Sequence, residues 1–243
     1  SGEAVIDEIC EGAELKAARC SLGCFGVILS VKMRCRPDYQ VEETFAEFDK
    51  LDDVLTAERD FPLQQFFLAP WRWSFFAQHR REIEAPTSAF AWLYHWYRTL
   101  VFDVAMHCLI LLTVRFFKLD AAVRWMFRTV IPAAVVLNWR VVAPSNSQLV
   151  MEHELFRHNE IELFVQRPQL GDALAFLRQA IEFTACKTGD PNIGFSQSIK
   201  GATEFDSWQE IRGTYCHHYP VCVRRIIPDS TLISMSCDEN PAR

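Results

Sequence analysis

The chain has 243 residues, half of them apolar and 13% aromatic, with a formal net charge of −6 and a mean hydropathy of zero. That length supports a substantial buried core, and that composition excludes a disordered chain. The acidic balance excludes nucleic acid as the main partner, because phosphate binding needs a concentrated basic face. Nine cysteines, an odd and scattered set without a CxxC pair, read as reduced thiols of a cytoplasmic protein rather than as a disulfide framework. The sequence opens with neither a Met nor a signal-peptide pattern, so it is expected to be part of a longer gene product.

The first feature in chain order is SLGCFGVI, residues 21–28. Its two glycines, Gly23 and Gly26, sit at a turn that enters an expected strand from Val27 to Arg34. Such a pair lets a backbone approach a flat or charged ligand closely, and it serves equally as a plain tight turn. There is no GxGxxG and no helix follows, which excludes a Rossmann dinucleotide site. A second strand is expected at Tyr39–Phe45 and a helix around Phe48–Arg59. FPLQQFFLAP (61–70) reads as an extended run delivered to an aromatic corner, WRWSFFAQHRR (71–81).

Residues 92–140 differ from everything around them. They are dense in Trp, Phe, Leu and Val and hold six bases (Arg98, Arg115, Lys118, Arg124, Arg128, Arg140) against two acids (Asp103, Asp120). The longest charge-free run, Val104–Val114, has eleven residues, short of the ~18 needed to cross a bilayer, so no span is expected. The pattern predicts two or three amphipathic helices, broken near Leu119–Asp120 and at Pro132, whose apolar faces need a core or a membrane surface. A helical subdomain packed on the sheet is the expectation, and peripheral membrane contact through 92–140 is the second reading.

MEHELFRH (151–158) places His153 and His158 five residues apart. On one helix those side chains point roughly 140° apart, whereas shared metal ligands need i and i+4. No metal is expected there. His153 and Glu154 are read instead as part of a polar pocket. Cys216, His217 and His218 fall short of the four ligands of a structural zinc.

Glu160–Arg167 alternates and predicts a strand, with Glu160 and Glu162 on one face and Ile161, Leu163 and Val165 on the other. A carboxylate pair can do acid–base work, and the wet face of a half-buried strand gives the same pattern. A helix is expected over Gly171–Phe183, a loop or lid over Lys187–Ser207, a strand over Pro220–Pro228, and a turn at 229–231 into Leu232–Ser236. In the 220–228 strand, alternation puts Cys222, Arg224 and Ile226 on one face and Val221 and Val223 on the other. Taken alone, Arg224 reads equally well as a solvated arginine at a sheet edge.

Three of these segments resemble one family, in the same order and frame. ARCSLGCFGVILSVKMRCRP (18–37) is similar to the closing segment of the FAD-binding domain in vanillyl-alcohol-oxidase-type flavoproteins. ELFVQRPQLGDALAFLR (162–178) is similar to a strand-and-helix element of the aldonolactone oxidase domain, with Gln166 and Pro168 departing from its usual text. HYPVCVRRIIPDSTLIS (218–234) resembles that domain's arginine-bearing strand. The chain thus resembles the C-terminal part of the FAD-linked oxidoreductases of the vanillyl-alcohol oxidase superfamily, in particular the D-arabinono-1,4-lactone and L-gulonolactone oxidase group.

The resemblance implies an α+β architecture. Residues 1–43 would close an FAD-binding domain, and residues 44–243 would form a cap or substrate domain with an antiparallel sheet, helices on one side and a hydrophobic helical insert at about 90–140. It implies FAD along Ser21, Gly23, Gly26, Val27 and Ile28, Arg224 as the active-site arginine, and Glu162 lining the pocket. The family's glutamate falls on Cys222, a departure that removes a partner for orienting a lactone. The implied reaction is oxidation of a hydroxyl of a sugar, aldonolactone or polyol by hydride transfer to flavin. The segments for the FAD pyrophosphate and the family's C-terminal tail are not in this sequence, so the chain alone is expected to be inactive. The alternatives are a sterol-reductase-like flavoprotein acting on a membrane-soluble substrate and a non-catalytic membrane-surface module.

Overall fold

A computed structural model describes residues 6–150, 155, 160–186, 208–232 and 234–237. The chain divides into two compact units: Asp38–Ile161 with Val165–Arg224, and Ser1–Pro37 with Glu162–Phe164 and Arg225–Arg243.

The larger unit is built on a five-stranded antiparallel sheet. Its strands are β1 (Gln40–Phe48), β2 (Gln65–Leu68), β3 (Phe75–Glu82), β4 (Val141–Pro144) and β5 (Val221–Arg224), in the order β4-β1-β3-β2-β5. β1 and β3 form the long central ladder, from Val41 opposite Glu82 to Phe48 opposite Phe75. The turn between β2 and β3 is the expected aromatic corner. There Trp71 and Trp73 take left-handed φ values of 67° and 62°, and the Trp73 and Ala69 amides donate to Ala69 and Ser74 carbonyls.

One face of the sheet carries Phe66, Leu68, Phe75 and Ala77, with Val221 and Val223 of β5 beside them. It is covered by α2 (Leu51–Ala57) and by the helix Leu170–Thr184. α2 places Asp52 and Asp53 in its first turn, where the helix dipole favours them, and buries Val54. The Leu170–Thr184 helix repeats Leu170, Leu174, Leu177 and Ile181, an apolar stripe at helical spacing, and packs Leu170 and Leu174 into the same core.

The other face carries Glu43, Phe45, Val141 and Ala143 and is covered by a helical hairpin. Its first arm, α3 (Ala91–Phe116), is 26 residues long, α-helical at Ala91–Arg98 and Met106–Ile110 with wider π-type stretches at Thr99–Ala105 and Leu111–Phe116. Its second arm, α4, runs over 120–134, and Met106, Val123, Met126 and Phe127 form the core between the arms.

Several expectations are corrected. Helices lie on both faces of the sheet, because Val141 and Ala143 give the second face a buried apolar patch under Ala91 and Tyr94, and Glu43 accepts from Tyr94 of the covering helix. The helix 120–134 breaks from α3 near Leu119 as expected, yet it continues through Pro132 to Ala134. The π-type turn at Met126–Val130 loosens the hydrogen-bond ladder just where proline has no N–H to give. Charge-free run length also failed as a measure of α3, which is long and apolar enough to cross a membrane by length and composition. Neither Val27–Arg34 nor Glu160–Arg167 forms a strand. Both alternate, but a strand exists only where a neighbour completes its ladder.

The smaller unit holds a short helix, α1 (Gly12–Ala18), the glycine turn, and an isolated bridge between Asp229 and Cys237. The turn after Asp229 is held by its carboxylate, which accepts from the Thr231 amide at 2.7 Å and from the Ser234 and Ser236 hydroxyls at 2.9 and 2.8 Å. The expected lid at 187–207, and the polar pair His153 and Glu154, lie outside the described residues.

Candidate functional site

Arg224 ends β5, and its exposed side chain stands on the same face as Cys222 while Val221 and Val223 pack into the core. This is the split that strand alternation predicts. Across the ladder Arg224 is opposite Gln65, Gln65 is opposite Gln78, and Gln78 is opposite Phe45. The Gln65 amide Nε2 donates to Gln78 Oε1 at 2.6 Å, and the Cys222 thiol donates to Gln65 Oε1 at 4.0 Å. A cation, two amides and a thiol therefore form one polar row across three strands. Gln78 is buried and Arg224 open, so the row leads from the sheet interior to solvent. The sequence held a sign of this row in the polar residues of QQFF and FFAQ, which alternation sets on one side.

The approach to β5 is a second cluster. His217 is driven down to about 4 by burial, with the neighbouring His218 ring adding to that. Its Nε2 has no hydrogen-bond partner among the described residues, and its carbonyl accepts from the Trp71 indole at 2.9 Å. Tyr219 is pushed up to about 12, by burial first and then by the charges of Glu160 and Cys222. His217 is thus a neutral imidazole at neutral pH, held between Tyr215 and the Trp71 corner.

Deeper in the sheet lies a charged group that the sequence did not single out. Glu43 and Arg80 are paired across β1 and β3, with Nε to Oε2 at 2.6 Å. Tyr94 OH donates to Glu43 Oε1 at 2.5 Å, and Arg98 Nη1 stands 3.9 Å from it. Arg98 and Arg80 also donate to the side chain and main chain of Gln148. The arginines hold the Glu43 carboxyl below its ordinary value in spite of burial, which acts the other way and is the largest influence. Both guanidinium groups share the one carboxylate, and Tyr94 and Arg98 of the helix reach it, so the group fastens α3 to the sheet.

The glycine turn belongs to the smaller unit. Gly23 and Gly26 have φ of 78° and 92°, and a Cβ on either would meet nothing within 4 Å. The Cys24 amide donates to the Ser21 carbonyl at 2.9 Å, closing the turn. Val27 and Ile28 are exposed, at 87% and 67%. A backbone open to close approach beside two bare apolar side chains fits the demands of a flavin, so these residues are compatible with the cofactor that the resemblance implies. Glu162 is exposed and also belongs to the smaller unit, whereas Arg224 belongs to the larger. Among the described residues no group of three His, Cys, Asp or Glu side chains is placed to hold a metal ion.

No family model matches the chain. It is 46% identical over 236 residues to a protein named long-chain alcohol oxidase from an uncultured marine euryarchaeote. The aligned stretch covers 97% of this chain and 49% of that protein, so the chain spans about half the length of the curated relative it matches.

Proposed function

We propose that the chain is the substrate-side part of a flavin-dependent oxidase that acts on the CH–OH group of an alcohol with an apolar chain. The observation that carries this reading is the 46% identity, sustained along 97% of the chain, with a protein named as an oxidase of long-chain alcohols. The resemblance of residues 18–37 and 218–234 to flavoprotein segments supports the same chemistry.

Ser21, Gly23, Gly26, Val27 and Ile28 would hold FAD, which when bound supplies the two-electron acceptor. The Arg224 guanidinium stabilises negative charge that develops on the substrate oxygen. Gln65, on the same face and tied to Gln78, orients the hydroxyl. Cys222 puts a thiol where the lactone oxidases carry a carboxylate, which removes a partner for additional substrate hydroxyls. That substitution favours a plain alcohol over a sugar, lactone or polyol. The pocket role that the resemblance gives Glu162 is part of this proposal, with Glu162→Gln as its own test.

The experiment is an anaerobic titration of the full-length gene product with long-chain primary alcohols, aldonolactones, polyols and NADPH, followed in the visible spectrum. Bleaching of a flavin band by the alcohols is expected. Bleaching by lactones or polyols alone would move the substrate back to the sugar class, bleaching by NADPH alone would make the protein a reductase, and a protein with no bound flavin under any loading condition would overturn the proposal.

A further inference from the structure

We infer that the α3–α4 hairpin is a lipid-docking surface. Its tip, Arg115–Leu119, and the outer face of α3 enter the headgroup region of a membrane carrying anionic lipid, and the hairpin lies along that surface without crossing it. This goes beyond the oxidase reading and does not depend on it.

The outer face of α3 is apolar and bare. Trp92, Trp96, Leu100, Leu112 and Phe116 are all exposed, and only 11% of the helix's most apolar 18-residue stretch is buried. A core helix of this composition would be sealed all round. A contiguous exposed apolar surface instead marks a place of interaction.

The inner face explains why α3 lies down. Tyr94 and Arg98 engage Glu43 beneath the helix, Phe102 stacks on Phe45 with ring centroids 6.1 Å apart, and Asp103 is buried. Crossing a bilayer would strand Glu43 without its tyrosine and carry Arg98 and Asp103 into hydrocarbon, where charged side chains are costly. A helix with one face on a sheet and one face bare satisfies both by resting in the plane of the interface.

Charge selects the lipid. At the tip, Phe116 is 80% and Phe117 61% exposed, and they are flanked by Arg115 and Lys118, neither of which has an ion-pair partner among the described residues. Lys118, at φ 52°, turns the chain out of α3 and leaves Leu119 exposed as well. Of the segment's two acids, Asp103 is buried under the helix, and Asp120, half-buried, follows the tip directly as the first residue of α4, leaving the tip with two cations to one carboxylate. In a chain of net charge −6, two cations beside an aromatic wedge are complementary to an anionic headgroup layer.

The test is co-sedimentation of the full-length protein with vesicles of phosphatidylcholine alone and of phosphatidylcholine mixed with phosphatidylglycerol, at low and high salt. The wild type is expected to bind the anionic vesicles and to be weakened by salt. R115Q/K118Q is expected to bind roughly 30-fold more weakly, from about 1 kcal/mol for each basic residue near the surface. Brominated acyl chains are expected to quench tryptophan fluorescence in the wild type and much less in W92F/W96F, while F116S/F117S loses retention at high salt. A wild type that stays in the supernatant with both vesicles overturns the proposal, as does binding that neither tip variant alters. A lipid-free dimer that F116S/F117S turns into a monomer also overturns it, because the face then belongs to a second copy of the chain.

Discussion

Glu43 and Arg80 stand directly opposite each other in the central ladder, 2.6 Å apart, with 0% and 6% of their surfaces in contact with water. Removing the carboxylate leaves two buried guanidinium groups, Arg80 and Arg98, without a counter-charge. Glu43→Ala is expected to cost about 3–5 kcal/mol, read as a shift of the urea midpoint. Replacing Glu43 and Arg80 together by apolar residues should cost less than the single change. Because the folded carboxyl lies below its ordinary value, this stabilisation is present above the ordinary carboxylate range and is lost as the pH falls through the depressed folded value.

His217 acts in the same direction, in a higher pH window. Its folded value, about 4, lies below the ordinary 6.5, so between those pH values the unfolded chain takes up a proton that the folded chain refuses. Stability therefore drops as the pH falls from 6.5 towards 4. His217→Gln should flatten that part of the stability-against-pH curve, measured by thermal unfolding, and should leave the curve above pH 7 in place.

Arg224→Ala in the full-length protein is expected to lower kcat by about 10²–10³, the usual cost of losing one group that stabilises developing oxyanion charge, with flavin content and melting temperature unchanged. Arg224→Lys should recover part of the loss. Gln65→Ala, which removes an orienting amide, should act more on KM than Arg224→Ala does. Steady-state kinetics on a long-chain alcohol separate the two.

Gly26→Ala forces a side chain into φ 92°, a conformation that costs an L-residue roughly 1–2 kcal/mol, although no neighbouring atom stands in the way. Loss should therefore show as a lower flavin-to-protein ratio in the purified full-length protein. If the ratio and the melting temperature both stay at wild-type values, the turn takes no part in holding the cofactor.

The sheet was legible where two requirements coincided, alternation and an available neighbour. β1 and β2 fall where the pattern puts them, β5 fills only Val221–Arg224 of the strand expected over 220–228, and the Leu170–Thr184 helix follows from its leucine spacing. Val27–Arg34 and Glu160–Arg167 alternate just as well and form no strand, because pattern says which face would be wet and nothing about who pairs. The length of α3 was hidden by Arg98 and Asp103. A count of charge-free residues treats them as interruptions, whereas both are buried and Arg98 faces Glu43. For the same reason Glu43 gave no signal: a glutamate in a strand looks like a wet residue until the helix that covers it is known. Arg224 and its face could be read in advance, while its neighbour Gln65, 159 positions away by subtraction of the paired numbers, could not.

That sequence distance also bears on the order in which the molecule assembles. β2 and β3 can zip together as a local hairpin, and β1 joins β3 across a short helix, but β5 must find β2 after closing a loop of most of the chain, an entropic toll that local contacts do not face. The strand that carries Arg224 is then the last to dock and the first to leave. Its amides should exchange with deuterium faster than those of β1 and β3, and occupancy of the site by substrate should slow them selectively.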